Sequence, residues 1–254
     1  MKKNEPYIRI RENAKIAVLM VHGIAGTPAQ FEALIPLIPE DYSIYNILLD
    51  GHGKTVLDFG KASMKKWKAQ FRKTLEDLRR QYDGIFIVAH SMGTLFSIQH
   101  AVENPDKILR LFLLSVPTRP FPRVSTVRAS YAIMLGRVKK GDKIAHALIK
   151  GTSIQLEKGI FPYITWIPRL IELLFECRKT RKMLPKLAIP SDTFQSQADE
   201  LVSARSIKDL NTHPYIKNTV LFHSGHLLYG DEDLVLLKRY MEEAVKEIQK
   251  TQTQ

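Results

Sequence analysis

The sequence predicts an α/β protein with a mostly parallel β-sheet, helices on both faces and one inserted helical segment. Three observations lead to this prediction. Short apolar runs rich in β-branched residues alternate with helical patterns along most of the chain. This alternation is interrupted once, within residues 118–186. The 254 residues, 44% of them hydrophobic, are enough to bury the core of one large domain.

The predicted strands are short apolar runs with helical patterns between them. Strands joined through helices are parallel, because each helix returns the chain to the edge of the sheet where the previous strand began. Residues 7–10 predict one further strand, antiparallel and at the edge. The parallel strands are predicted at residues 17–21, 44–49, 85–89, 109–116, 193–197 and 219–223.

The predicted helices are segments in which apolar residues recur at helical spacing. They lie at residues 29–38, 64–82, 94–103, 207–210 with its flanks, and 234–248. The polar tail at residues 251–254 is expected to be frayed.

The interruption at residues 118–186 is bordered by prolines and contains several glycines. It shows helical spacing, as in Ile167, Leu170, Ile171 and Leu174, but no convincing buried strand. Structureless loops of this length are uncommon in compact domains. We therefore expect an inserted helical cap at 118–186, on a core formed by residues 1–117 and 187–254.

The positive charge of the chain is concentrated in the predicted cap. The whole chain carries a formal net charge of +12, and residues 118–186 contribute 15 Lys and Arg against four Asp and Glu. The remaining residues are close to neutral, and no zinc-finger spacing or aromatic nucleic-acid motif is present. We expect no nucleic-acid partner. The basic segment is either a solvated face or a surface for anionic membranes.

Composition also argues against disulfide-rich, zinc-binding, membrane-spanning and secreted proteins. A single cysteine, Cys177, excludes an intrachain disulfide framework and a cysteine-based zinc site within one chain. No apolar run approaches the roughly 20 residues that span a bilayer. The N-terminal lysines are not followed by the apolar stretch of a secretion signal. A cytoplasmic protein is expected.

Residues 85–94, Ile-Phe-Ile-Val-Ala-His-Ser-Met-Gly-Thr, carry the most informative motif. A predicted strand runs into Ser91, and a helical pattern follows at once. A nucleophile on such a sharp turn has a strained backbone and needs small residues two positions away on each side. Ala89 and Gly93 meet this requirement, although the usual first residue is glycine. Ser91 is therefore the predicted nucleophile.

An earlier strand ends at Val21-His-Gly-Ile-Ala-Gly26, in the position of the first strand-to-helix loop. Glycines allow backbone amides to approach a developing oxyanion closely. The predicted donors of this oxyanion hole are the amides of Ile24 and of Met92, the residue after the nucleophile. A glycine-rich turn without chemistry is the alternative.

An acid and a base follow the nucleophile in the order that a Ser-Asp-His triad on this sheet requires. Asp199 and His226 each come just after a predicted strand and before a helix. Several neighbouring residues compete for these roles. Glu200 should point elsewhere, Asp192 precedes its predicted strand, His223 lies within the last predicted strand, and His90 is too close to Ser91 in the chain to reach its hydroxyl.

The sequence resembles the α/β-hydrolase superfamily, and more closely its bacterial carboxylesterases and monoacylglycerol-lipase-like enzymes. The resemblance covers about residues 14–117 and 187–250, and the cap matches only as a variable insertion. It rests on His22-Gly23, Leu49-Asp-Gly-His-Gly53, the 89–93 motif, Gln197-Ala-Asp-Glu-Leu-Val202 and Ser224-Gly-His226. In that family the triad would be Ser91, Asp199 and His226, and His52 is expected to be structural.

The resemblance implies a serine hydrolase that cleaves carboxylic esters of short- to medium-chain acyl groups or of monoacylglycerol-like lipids. An acyl-enzyme forms and water releases it, with no metal or organic cofactor. A thioesterase or acyltransferase with the same triad, or a non-catalytic ligand-binding member of the fold, are the alternatives. The apolar and basic residues of the cap suggest peripheral contact with anionic membranes, against the alternative that the apolar residues only pack the cap onto the core.

Overall fold

The computed structural model describes residues 2–211 and 213–252. Its strands form one seven-stranded sheet in the order β1-β3-β2-β4-β5-β6-β7. Strand β1 pairs antiparallel with β3, and all other neighbouring strands are parallel. The strands are β1 Tyr7–Arg9, β2 Ile16–Val21, β3 Ser43–Ile47, β4 Gly84–His90, β5 Ile108–Leu114, β6 Ser191–Ser196 and β7 Ile216–Leu221. The predicted α/β class, including the antiparallel edge strand, is confirmed.

The helices connect these strands and cover the sheet. The α-helices are α1 Val56–Lys61, α2 Met64–Gln81, α3 Met92–Glu103, α4 Val124–Met134, α5 Lys143–Gly151, α6 Ile167–Met183, α7 Arg205–Asn211 and α8 Asp231–Gln252. Short 3-10 helices occur at Pro28–Phe31, Ile35–Leu37, Phe161–Trp166 and Leu184–Lys186. The predicted frayed tail begins inside α8, and its residues 253–254 lie outside the described residues.

The sheet separates two apolar cores. In β2, Leu19 and Val21 pack with Trp67 of α2, whereas Val18 and Met20 pack with the helix α8 on the opposite face. Successive side chains of a strand point to opposite faces, so a strand covered on both faces is apolar at every position. All six residues of β2 are buried accordingly. This double burial explains the continuous apolar runs from which the strands are predicted.

The predicted helix at residues 29–38 is wrong as a single helix. Two 3-10 turns, Pro28–Phe31 and Ile35–Leu37, take its place. Pro36 has no amide to donate, and its ring disfavours helical geometry at the preceding residue. The apolar spacing is real, however, because Phe31, Leu34 and Ile38 are all buried.

Two further differences concern strand boundaries near the competing candidates. Asp192 lies inside β6 rather than before it, and β7 ends at Leu221, so that His223 follows the strand. The end of β7 is wrong because the strand is only partly buried at its centre and its apolar pattern is weak. The start of β6 is wrong because its first residues are polar although they are buried. Helix α1 was not predicted, since its six residues are too few for a clear helical period.

The segment predicted as a cap contains α4, α5 and α6, and none of the described sheet strands. Helix α6 packs against α2 and α3 of the core. The indole of Trp166 donates to the Val56 carbonyl at 3.0 Å, and the carboxylate of Glu172 accepts from the Met64 amide at 2.9 Å. The identification of residues 118–186 as a separate cap stays a prediction.

An ion pair ties β5, β6 and α8 together at the end of the sheet where these strands begin. The Arg110 guanidinium donates to both carboxylate oxygens of Asp192, at 2.6 and 3.2 Å, and also pairs with Glu247. The side chain of Asp192 is only 3% exposed. Removing one partner of a buried pair leaves an uncompensated charge.

We expect Arg110→Met to lower the free energy of unfolding by about 3 kcal/mol, because Asp192 would lose its charged partner. Urea denaturation followed by circular dichroism measures this loss. The double variant Arg110→Met/Asp192→Asn should recover part of it, since no buried charge is left. Arg80→Met, which breaks an exposed pair with Asp77, should cost less than about 1 kcal/mol. Equal stability of Arg110→Met and the unmodified protein would contradict the assignment.

Candidate active site

Ser91 occupies a sharp turn between β4 and α3. Its φ of 49° and ψ of −118° are unfavourable for a residue with a side chain, so that the surrounding packing must hold it in place. At Gly93, a Cβ atom would lie 2.4 Å from the Val21 carbonyl oxygen, which explains why glycine is required there. The Ser91 amide donates to the Leu114 carbonyl at 2.9 Å.

The three predicted triad residues lie together. The hydroxyl oxygen of Ser91 is 2.9 Å from Nε2 of His226, and Nδ1 of His226 is 2.8 Å from a carboxylate oxygen of Asp199. The other carboxylate oxygen of Asp199 accepts from the amides of Leu201 and Val202, both at 2.8 Å. All three residues are buried, and Ser91 and His226 line a cavity. Their catalytic roles stay a prediction at this point.

The electrostatics of the pair support proton transfer from Ser91. Burial raises the pKa of Asp199, but the His226 charge and the hydrogen bonds from His226 and two amides lower it below its ordinary value. Burial lowers the pKa of His226, but the charge and hydrogen bond of Asp199, together with the charge of Glu200, raise it above its ordinary value. An ionised Asp199 accepts a hydrogen bond from the Nδ1–H group, which leaves the Nε2 lone pair free to accept from the Ser91 hydroxyl.

The loop predicted to form the oxyanion hole lies beside the nucleophile. A Cβ atom on Gly23 would be 2.8 Å from Cβ of Ser91, so only glycine permits this approach. Ile24 follows and lines the same cavity as Ser91. Met92 is the first residue of α3, where an amide has no acceptor within the helix. The donation of these two amides to an oxyanion stays a prediction.

Two buried histidines support this loop. His22 donates from Nδ1 to the Gly23 carbonyl at 2.8 Å and accepts at Nε2 from the Leu49 amide at 3.1 Å. Burial, with a smaller effect of His52, lowers the pKa of His22 well below its ordinary value. Burial also lowers the pKa of His52 to about 4, and its ring packs against Trp67. Both histidines are neutral and structural, as predicted for His52.

Two residues near His226 have roles that the sequence does not reveal. A carboxylate oxygen of Glu200 accepts from the His226 amide at 2.9 Å, and Nε2 of His90 donates to the His226 carbonyl at 2.9 Å. The prediction that Glu200 points elsewhere holds for the imidazole ring, which contacts Asp199 and Ser91, but the Glu200 carboxylate contacts the backbone of the same histidine. A contact with the backbone of a distant loop produces no sequence pattern, so the sequence does not predict these roles of Glu200 and His90.

The remaining competitors lie away from the triad. Asp192 pairs with Arg110 near the start of β6. The ring of His223 is exposed and lies 3.1 Å from Glu232. His223 was predicted to be a structural residue within the last strand, but it lies two residues after that strand ends. Its amide, rather than its ring, is the structural group, since it donates to Asp233 at 2.7 Å.

A largely apolar cavity of about 390 Å³ opens above the triad. Ser91, His90 and His226 form part of its wall. Leucines and prolines of the predicted cap provide much of the remainder. These are Pro120, Pro122, Leu148, Leu170, Leu173 and Leu174.

Two other structural findings concern cofactors and membranes. Among the described residues, no group of three or more His, Cys, Asp or Glu side chains could hold a metal ion. Across residues 2–211 and 213–252, no helix is both long and apolar enough to cross a bilayer.

Comparisons with known proteins agree with this fold. The chain is 29% identical over 96 residues to a thermostable monoacylglycerol lipase from Bacillus sp. (strain H-257), and the alignment covers 37% of this chain and 38% of the lipase. A solved structure reported for the metagenome-derived lipolytic enzymes LipS and LipT has a TM-score of 0.73 and 17% identity, with 97% of this chain and 99% of that chain covered. The monoacylglycerol lipase of Paleococcus ferrophilus has a TM-score of 0.68 and 16% identity, covering 95% of this chain and 99% of that chain.

The family described as serine aminopeptidase, S33, matches residues 12–158, which is more than half of the chain. The match includes the predicted nucleophile and its turn, and it ends before Asp199 and His226. Fold and family therefore agree with the predicted resemblance. The chain belongs to the S33 serine aminopeptidase family and has the α/β-hydrolase fold.

Proposed function

We propose that this protein hydrolyses carboxylic esters of short- to medium-chain acyl groups or of monoacylglycerol-like lipids. Ser91 is the nucleophile, His226 the general base and acid, and Asp199 the residue that orients the imidazole. One observation carries the proposal: the hydrogen bonds from Asp199 through His226 to Ser91 end at the wall of an apolar cavity.

In the first half of the reaction the hydroxyl oxygen of Ser91 attacks the ester carbonyl carbon. Nε2 of His226 takes the hydroxyl proton, and the carbonyl oxygen becomes an oxyanion held by the amides of Ile24 and Met92. When the tetrahedral intermediate collapses, the bond to the leaving alcohol breaks. The His226 proton passes to the alcohol oxygen, which leaves an acyl group on Ser91.

In the second half, water takes the place of the alcohol. His226 removes a proton from the water as it attacks the acyl carbon, and the same amides hold the second oxyanion. Collapse breaks the bond to Ser91, and the proton on His226 returns to the serine oxygen. The products are a carboxylic acid and the regenerated enzyme.

The cavity wall favours an uncharged acyl chain as the substrate group. Apart from the two histidines, the described residues that line it carry no titratable side chain. An aminopeptidase, the activity in the family's description, needs a carboxylate to pair with the charged amino terminus of its substrate, because a buried unpaired charge is costly. The volume of about 390 Å³ lies in the usual range for small-molecule sites.

Thioesterase and acyltransferase activity remain the alternatives within the same triad, because a fold does not select the leaving group. A panel of p-nitrophenyl esters and acyl-thioesters of increasing chain length separates these substrates. A fluorophosphonate probe that labels Ser91 separates all of these enzymes from a non-catalytic ligand-binding protein.

The predicted cap also has the properties of a surface that contacts anionic lipid. Leu170 and Leu174 line the cavity and are each about half exposed, so the cavity wall continues onto the outer surface. Other large apolar side chains of the cap are exposed as well: Phe121, Val124, Val127, Tyr131, Phe161, Ile164, Ile167, Ile171 and Phe175. Exposed apolar patches of this kind mark sites of interaction.

Basic residues accompany these apolar side chains. Arg128 lies in α4 with Val127 and Tyr131, and Arg178 lies in α6 close to Phe175. Each basic residue near an anionic membrane contributes about 1 kcal/mol to binding at low salt. An apolar surface with a positive charge, continuous with the active-site cavity, suits an ester that enters from a lipid surface.

We expect Ser91→Ala and His226→Ala each to reduce ester hydrolysis at least about 1000-fold, because the triad acts as a unit. The double variant should be little worse than either single variant. Hydrolysis of a soluble p-nitrophenyl ester measures the rates, and circular dichroism verifies the fold. His223→Ala is the matched control, because this exposed histidine lies in the same loop and should leave the rate unchanged. More than about a thousandth of the activity surviving in Ser91→Ala would rule out the nucleophile.

The pH dependence follows from the raised pKa of His226. The imidazole acts as a base only when it is neutral, so kcat/KM should rise with pH. Because the pKa of His226 lies above its ordinary value of 6.5, the midpoint of this rise should also lie above 6.5. Initial rates with a soluble ester between pH 5 and 9 measure it. A rate that is independent of pH over this range would argue against a histidine base.

Membrane contact is tested by vesicle sedimentation. The protein should bind vesicles containing anionic lipid more tightly than neutral vesicles at low salt, and high salt should weaken this difference. Phe161→Ser/Phe175→Ser should reduce binding, since both side chains are exposed and lie outside the cavity lining. Val235→Ser, an equally exposed site on α8, is the control. Equal binding to neutral and anionic vesicles at low salt would contradict membrane contact. The cap would then serve only as a wall of the pocket.

A further inference from the structure

We infer that Glu200 is a positioning residue: it holds the backbone of His226 and connects this histidine to the first helix of the predicted cap. The inference rests on the proposed function and adds a residue to its machinery. Glu200 follows Asp199 directly, so one short segment after β6 contacts both the ring and the backbone of the same histidine.

The carboxylate of Glu200 lies against the peptide that joins Gly225 and His226. It accepts from the His226 amide at 2.9 Å, and a Cβ atom on Gly225 would lie 2.6 Å from the same carboxylate oxygen. Glu200 is buried, and a buried carboxylate needs a hydrogen-bonding partner. A hydrogen bond from an amide to a charged acceptor is stronger than one to a neutral acceptor. The contact therefore restrains the position of His226.

The backbone carbonyl of His226 is held by His90, in the active-site turn. Nε2 of His90 donates to the His226 carbonyl, and the centres of the two rings are 5.0 Å apart. Ser196, the last residue of β6, donates from its hydroxyl to the Gly225 carbonyl at 2.9 Å. The backbone of His226 is thus fixed at its amide by Glu200 and at its carbonyl by His90. The imidazole then has little freedom to move away from Ser91.

The backbone of Glu200 holds the start of helix α4. Its carbonyl oxygen accepts from the amide of Arg123 and from the hydroxyl of Thr126, both at 2.9 Å. The next carbonyl, that of Leu201, accepts from the Phe121 amide at 2.9 Å. A single residue therefore contacts the cap through its backbone and the triad through its side chain. Glu200 therefore contacts both the chain that enters the cap and the histidine of the triad.

The charge of Glu200 also acts on the imidazole. Asp199 and Glu200 after β6 and His90 in the active-site turn act on His226, and Tyr229, in the same loop as His226, acts on Asp199. Burial lowers the pKa of His90 to about 3 and raises the pKa of Tyr229, so both are neutral. The two carboxylates are therefore the charges that raise the pKa of His226.

Two substitutions separate the charge of Glu200 from its hydrogen bond. Glu200→Gln keeps an oxygen that accepts from the His226 amide and removes only the charge. Glu200→Ala removes both. Glu232→Gln serves as the control, because Glu232 is exposed and pairs with His223 rather than with the triad. The measurements are kcat and KM for a soluble p-nitrophenyl ester from pH 5 to 9, with thermal unfolding of each variant.

We expect Glu200→Gln to move the midpoint of the kcat/KM profile to lower pH while keeping kcat at high pH within about threefold of the unmodified enzyme. Glu200→Ala should lower kcat by about 10- to 100-fold with little change in KM, because a misplaced imidazole slows chemistry rather than binding. Glu232→Gln should change neither quantity. An unmoved midpoint in Glu200→Gln together with an unchanged kcat in folded Glu200→Ala would overturn the inference.

A direct measurement of His226 keeps this test apart from the proposed function. NMR titration of ¹³C-labelled histidine rings, with the His226 signal assigned by its loss in His226→Ala, reports the imidazole without any substrate. A lower pKa of His226 in Glu200→Gln supports the inference even if no ester is hydrolysed. If the unmodified enzyme is active and Ser91→Ala is inactive, the proposed function is upheld. If the Glu200 variants then behave like the unmodified enzyme, the inference is refuted.

Discussion

The parallel sheet is the constraint on which the site depends. Its central strands β2 and β4 are buried on both faces and mostly apolar, so the reactive side chains lie beyond the strand ends. Because β4, β6 and β7 run in the same direction, their carboxyl ends lie along one edge. Ser91, Asp199 and His226 follow these three ends, and residues separated by more than a hundred positions meet within hydrogen-bonding distance. A polar residue inside a strand, such as Asp192, instead needs a charged partner, which Arg110 supplies.

The position of the Ser91 hydroxyl at the cavity wall goes with a backbone conformation that costs about 1–3 kcal/mol. The buried strand β4 and the helix α3 on either side of the turn offset that cost by packing. The close approach of Gly93 to the Val21 carbonyl holds the start of α3 against β2, where the loop containing Ile24 begins. The strained turn at Ser91 and the loop containing Ile24 therefore meet where β4 and β2 end side by side.

The cavity above the triad results from helices that leave apolar side chains without partners in the core. Leu170 and Leu174 of α6 face both the cavity and solvent, whereas Cys177, one turn further along α6, is buried against the core. The same helix therefore packs against the core along its length, through Glu172 and Cys177, and lines the cavity through its leucines. The carbonyl of Glu200 accepts hydrogen bonds from the start of α4, so a second helix of this segment contacts the chain after β6.

The sequence by itself determined the fold class, the strand order along the chain and the identity of the three residues that meet at the strand ends. Apolar runs, small residues around Ser91 and the order Ser-Asp-His are local patterns, and parallel topology converts them into proximity. Only the tertiary structure decided the roles of Glu200 and His90, which hold the backbone of His226. A hydrogen bond to a peptide group places no demand on the residue that contributes the peptide, and such a contact therefore leaves no pattern in the sequence.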